Sequence, residues 1–155
     1  MKKYLYTLLF AIASIALILG TEHIFGKKTL TMTLEEEKAI EKSEAKKLMI
    51  VAHPDDEMIW GGAHLLEDKY FVVCITNGNN GVRASEFKKV LKATDDDGII
   101  LRYPDKTNGE RDNWEKVYEK ISEDLSKVIK AKEWELVVTH NPNGEYGHKH
   151  HIMTN

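Results

Sequence analysis

Four short apolar runs, each parted from the next by a helical pattern, set the tightest limit on what this chain can fold into. The runs lie at Lys47–Ala52, Tyr70–Thr76, Gly98–Tyr103 and Glu135–Thr139. Between them helical patterns span Asp56–Glu67, Ala84–Thr94 and Asn113–Lys132. In the last, Trp114, Val117, Ile121, Leu125, Val128 and Ile129 recur at helical spacing, with Glu and Lys on the other face. Such alternation makes right-handed βαβ crossovers, so the class is α/β, a parallel sheet covered by helices on both faces. Strands that are apolar almost throughout agree with burial on both sides. In the common open sheet of this kind the chain starts in the middle, winds outward and returns to the far side of its first strand. The fourth run is therefore expected beside the first, with their C-terminal ends flanking one crevice.

What those two ends carry is chemical. The first run stops at His53-Pro54-Asp55-Asp56-Glu57, and the fourth leads into His140-Asn141-Pro142-Asn143-Gly144-Glu145-Tyr146-Gly147-His148-Lys149-His150-His151. Cys74 is the only cysteine and sits in an apolar run, which excludes an internal disulfide or a cysteine-based zinc cluster and reads as a core thiol. Histidine and aspartate without cysteine form the ligand set of a catalytic zinc site, three protein ligands and an open position for water. His53 and Asp56 are three apart across a strand-to-helix turn, and His148 and His151 are three apart where a helix can begin. The carboxylate left over, Asp55 or Glu57, could take a proton from bound water, whose pKa a metal brings near ~7. Each segment alone has a plainer reading: the acidic trio as a helix cap, the histidines as a solvated loop. Their meeting at adjoining strand ends favours the metal.

Other features carry less. Arg83 follows the glycine-rich Asn77–Gly81 and could bind substrate phosphate or sugar hydroxyls, or simply pair with Glu86. The loop lacks the G-x-G-x-x-G pattern, which argues against a nucleotide cofactor. Asp105 and His140 are candidates to touch substrate; Trp60 and His64 read as packing or rim residues. A net charge of −3 gives no case for nucleic acid.

Lys2 and Lys3 precede an uncharged apolar stretch, Tyr4–Gly20, which reads as a transmembrane signal anchor, with a cleaved signal peptide as the second choice. The expected division is 1–26 as anchor or signal, 27–46 as a charged stalk with a Thr33/Glu36 capping box, and 47–155 as the domain. By the positive-inside rule the domain stands outside the cytoplasm, membrane-anchored, or secreted if the signal is cleaved.

Ala52-His53-Pro54-Asp55-Asp56-Glu57 followed by Trp60-Gly61-Gly62 resembles the first signature of the PIG-L/LmbE-like zinc de-N-acetylases. Thr139–Pro142 and Gly144–His151 resemble the second, Arg83-Ala84-Ser85-Glu86 the intermediate R-x-x-E, and Tyr103-Pro104-Asp105 the loop after the third strand. The resemblance implies a Rossmann-like fold and removal of acetyl from an N-acetylglucosamine-type sugar, here an extracytoplasmic glycan or glycolipid. By motif position it makes His53, Asp56 and His151 the zinc (or other divalent metal) ligands, Asp55 the general base, and His148 the general acid or oxyanion partner, assisted by Tyr146. Arg83, Asp105 and His140 remain the substrate-side candidates. The chain departs from the family at Lys149-His150, often Pro-Asp there, which makes His150 a competing ligand. It also stops at Asn155, where family members usually continue, so a fragment is expected, and an inactive sugar- or metal-binding domain is the alternative.

Overall fold

A computed structural model describes residues 29–155, so the anchor expected over 1–26 lies outside the described residues. Among the described residues no helix is long and apolar enough to cross a membrane. In chain order the elements are α1 (Leu34–Lys42), β1 (Lys47–Val51), α2 (Asp56–Ile59), α3 (Gly62–Glu67), β2 (Tyr70–Thr76), α4 (Gly81–Thr94), β3 (Asp97–Tyr103), a small antiparallel pair β4 (Lys106–Thr107) and β5 (Glu110–Arg111), α5 (Tyr118–Lys130), β6 (Leu136–Val138) and α6 (Lys149–Thr154).

The main sheet has the order β3-β2-β1-β6, and every pairing is parallel. It is the outward winding and return that the apolar runs imply, and it fits a Rossmann-like domain. Alternation along the strands divides the core in two. Leu48, Ile50, Ala52, Phe71, Val73 and Ile75 face α1 and α5 through Ile40, Ile121 and Val128. Met49, Val51, Tyr70, Val72 and Cys74 face α3 and α4 through Leu65, Phe87 and Leu91. Cys74 is buried, and burial pushes its thiol well above the usual range, as a core thiol requires.

Residues 29–46 of the stretch read as a solvated stalk instead pack onto the domain. Thr33 and Glu36 form the capping box: the Thr33 N–H donates to Glu36 Oε2 at 2.8 Å and the Glu36 N–H to Thr33 Oγ1 at 3.3 Å. Ile40 beyond it is 1% exposed. Arg102 on β3 grips both Glu36 oxygens, at 2.7 and 2.8 Å, and the Met32 N–H donates to buried Asp124 at 2.7 Å. A Glu- and Lys-rich composition hid one buried isoleucine and one bidentate ion pair.

Three helix boundaries also differ from expectation. The helix expected over Asp56–Glu67 breaks at Trp60-Gly61, where a Cβ on Gly61 would stand 2.6 Å from Met49 Sδ and 2.8 Å from the Glu57 carbonyl. Helix α4 begins at Gly81 because the Asn80 side chain accepts from Val82 N–H and Arg83 N–H. Helix α5 begins at Tyr118, not Asn113. Trp114 ahead of it has φ +58° and is buried, its indole N–H donating to the Pro104 carbonyl at 2.8 Å.

Candidate metal centre

Parallel pairing of β1 with β6 brings the C-terminal ends of both strands to one edge of the sheet. Four buried histidines gather there with His53 and Asp56: His140, His148, His150 and His151. The His53–Glu57 corner is a tight turn in which the His53 N–H donates to Asp56 Oδ2 at 2.8 Å. Asp55 sits in it at φ +116°, a conformation L residues rarely adopt, and its N–H donates to Glu57 Oε2 at 2.9 Å. Glu57 is fully buried, and burial pushes its carboxyl above the usual range. Gly144–Gly147 is a distorted turn, with Gly144 at φ +69° and Glu145 at φ +52°. His148 then caps α6, its Nδ1 accepting from the His150 N–H at 3.2 Å.

Asp56 Oδ2 is the hub. His53 Nδ1 lies 3.0 Å from it, His151 Nε2 3.3 Å and His140 Nε2 3.4 Å. Among the described residues three sets of donor atoms, each within 4.8 Å, could hold an ion: His53 with His148 and His151; Asp56 with His140 and His151; and His53 with Asp105 and His150. The sequence-expected trio His53, Asp56 and His151 is thus spread over two sets that share His151.

Proton placement sorts these sets. Burial opposes ionisation of Glu145, but the Asn141 N–H and the rings of His151 and His140 outweigh it and hold the carboxylate below its usual range. An ionised carboxylate only accepts, so Nδ1–H of His151 donates to it at 2.6 Å and Nδ1–H of His140 at 3.2 Å. His151 Nε2 is then a lone pair, and it is buried without any hydrogen-bond partner. His140 Nε2 is a lone pair too, but the Ala52 N–H fills it at 3.0 Å. His148 Nδ1 is filled in the same way, so its proton sits on Nε2 and it is a donor, not a ligand. Burial, then the neighbouring imidazoles, push the His148 pKa down to about 4, so the ring is neutral near pH 7. What remains short of a positive centre is the carboxylate of Asp56 facing the bare nitrogen of His151, with His53 Nδ1 beside them. Ligating histidines typically donate their other N–H to a carboxylate, as His151 does here.

The remaining sequence candidates take definite places. Asp55 is half-exposed and its Oδ2 receives Arg83 Nη2 at 2.9 Å. Arg83 also donates to the Pro54 carbonyl and pairs with Glu86 at 2.6 Å, the plainer of its two readings. Asp105 Oδ1 stands 3.5 Å from His53 Nε2. An open cleft of about 580 Å³ beside it is lined by Asn77, Asn80, Arg83, Pro104, Asp105 and Lys106. Tyr146 is exposed, its ring 6.2 Å from that of exposed Trp60 and edge-on to His148 and His151. His140 is buried with both nitrogens engaged, stacked on His151 at 3.9 Å, which leaves it nothing to offer a substrate. Sequence reasoning missed Glu145: it lies among turn residues with no periodicity, and only its presence inside a histidine-rich segment hinted at it.

A family model described as PIG-L: GlcNAc-PI de-N-acetylase matches residues 48–155. The chain is 34% identical to an uncharacterized protein of Acanthamoeba polyphaga mimivirus, over 70% of this chain and 54% of that one. It is 26% identical to the N-acetylglucosaminyl-phosphatidylinositol de-N-acetylase of Bos taurus, over 95% of this chain and 62% of that one. It therefore spans between half and two thirds of the length of these curated relatives. No solved structure matches it.

Proposed function

We propose that this chain, which belongs to the PIG-L family of GlcNAc-PI de-N-acetylases, hydrolyses the N-acetyl group of an N-acetylglucosamine-type sugar with the help of a divalent ion. The observation that carries the reading is the orphaned His151 Nε2, aimed at the Asp56 carboxylate in a buried corner. His53, Asp56 and His151 would hold the ion, zinc by the chemistry of the donor set. Such an ion supplies an acidified water and a Lewis-acid contact for the amide carbonyl.

The chain's own groups account for the rest. Arg83 fixes Asp55 Oδ2, so the other Asp55 oxygen takes the proton of the attacking water. His148, neutral and protonated on Nε2, donates a hydrogen bond to the carbonyl oxygen as it becomes anionic. Asp55 then returns its proton to the nitrogen as the C–N bond breaks, giving free amine and acetate. Arg83 and Asp105 line the cleft that would take the sugar.

The test is metal content and acetate release from N-acetylchitooligosaccharides or N-acetylglucosaminyl lipid. The chain should carry about one ion, and Asp55→Asn should keep it while turnover falls by about 10² or more, the usual worth of a positioned base. A chain that binds no divalent ion, or an Asp55→Asn variant as active as the parent, defeats the reading. An ion bound without acetate release points to the inactive sugar- or metal-binding domain instead.

The substrate's compartment belongs to the same proposal. Lys2 and Lys3 ahead of Tyr4–Gly20 support an anchor with the domain on the extracytoplasmic side. Protease added outside intact cells should then degrade the domain; protection would place it inside.

A further inference from the structure

His150 is a histidine with no part in the chemistry above, yet it is fully buried against the metal corner. Its ring stacks on Trp114 with centroids 4.0 Å apart and planes 7° from parallel. Nε2 lies 2.6 Å from the Asp112 carbonyl, and Nδ1 lies 2.9 Å from His53 Nε2. A carbonyl oxygen only accepts, so Nε2 carries the proton. With the ring neutral, Nδ1 is a lone pair pointed at His53. A neutral His53 ring, the form that can ligate an ion, has one proton for two acceptors, Asp56 Oδ2 at 3.0 Å from Nδ1 and His150 at Nε2. If the proton goes to Nδ1, the two nitrogens 2.9 Å apart face each other bare, with Asp105 Oδ1 only 3.5 Å away. If it goes to Nε2, the chain His53 Nε2–H to His150, then His150 Nε2–H to Asp112, is complete. Nδ1 is then bare beside the Asp56 carboxylate.

We propose that His150 is a positioning residue: by accepting from His53 Nε2–H it fixes the His53 tautomer, so that Nδ1 is the nitrogen presented on the Asp56 and His151 side. Trp114 and the Asp112 carbonyl set the plane and rotation of the His150 ring, and His150 sets those of His53. The neighbouring cluster His53, Asp105 and His150 is then internally satisfied and needs no ion of its own. The proposal rests on the reading of His53, Asp56 and His151 as the ion's ligands.

Two variants separate positioning from packing. His150→Phe keeps a flat ring against Trp114 but offers no acceptor. His150→Asn gives up the stacking but places an amide oxygen near the position of Nδ1. Zinc affinity by competition with a chelator should be near wild type for His150→Asn and about 10- to 100-fold weaker for His150→Phe, the usual cost of losing such a partner. Long-range ¹H–¹⁵N spectra of the zinc-loaded wild-type chain should show the His53 proton on Nε2. The proposal is overturned if His150→Phe binds zinc as tightly as wild type, if His150→Asn is as weak as His150→Phe, or if His53 carries its proton on Nδ1. The first of these would leave the metal reading intact, whereas a wild-type chain that takes up no zinc would remove both. Should neither variant fold, the wild-type His53 spectrum decides alone.

Discussion

Glu145 holds two imidazoles through one carboxylate, Oε2 on His151 Nδ1 and Oε1 on His140 Nδ1. Replacing it by alanine frees both rings to change tautomer, and His151 Nε2 no longer has a reason to stay bare. Glu145→Ala should therefore weaken zinc binding by about 10- to 100-fold. Because Glu145 is only part-buried and on a turn, the far-UV spectrum of the variant should be unchanged. Chelator competition on the two proteins checks this, and equal affinities would show that His151 keeps its tautomer without the carboxylate. The residue was invisible as a ligand partner because its role depends on φ +52° at a kinked turn, which no spacing rule anticipates. Asp112 was hidden for a different reason. It contributes a main-chain carbonyl, a group that every residue carries. By contrast His53, Asp55, Asp56, His148 and His151 stood out because metal-type side chains at two strand ends are chemically conspicuous wherever the fold puts them.

The elements themselves were legible to the extent that burial dictated them. Strand β2 is apolar up to its last residue, Thr76, and buried at all seven positions, and its bounds match the run seen in the sequence. Strand β6, by contrast, is three residues long with Leu136 and Val137 exposed, and the expected run overshot it at both ends. The break between α2 and α3 was illegible because it answers a contact across the fold, Met49 of β1 against Gly61, and not a local preference. That contact makes a prediction. In Gly61→Ala the new methyl meets Met49, which can swing aside, and the Glu57 carbonyl, which cannot without moving the turn that carries Asp56. The cost should be about 1–3 kcal/mol of stability, the usual range for overpacking, read from denaturant melts. Zinc affinity should fall alongside. A variant as stable as wild type would mean that the α2–α3 break is looser than its packing implies.

The site ties together segments 97 positions apart, the turn after β1 and the start of α6, so its protonation state bears on the stability of the whole domain. An ion that binds only the folded chain adds about 2.7 kcal/mol at a hundredfold excess over its Kd. Removing it with a chelator should lower the melting temperature and expose what the histidines do alone. His148 and His150 are held down to about 4 by burial and by their neighbouring imidazoles, whereas unfolded histidine titrates near ~6.5. Between those values the unfolded chain binds more protons than the folded one, so stability rises with pH. The contribution is complete above pH ~6.5 and is lost as pH falls toward 4. Carboxylates with ordinary pKa values stay mostly ionised above pH ~5, while Glu57 and Asp96, raised by burial, act with the opposite sign, so the histidine part is the difference between wild type and a variant without the two rings. Thermal melts in chelator at pH 7, 6 and 5 should fall steadily, and a double variant, His148→Asn with His150→Asn, should flatten the slope. If the double variant keeps the wild-type slope from pH 7 to 5, the imidazoles are not held neutral. The hydrogen-bond chain that leaves His53 and His151 bare toward Asp56 would then lose its basis.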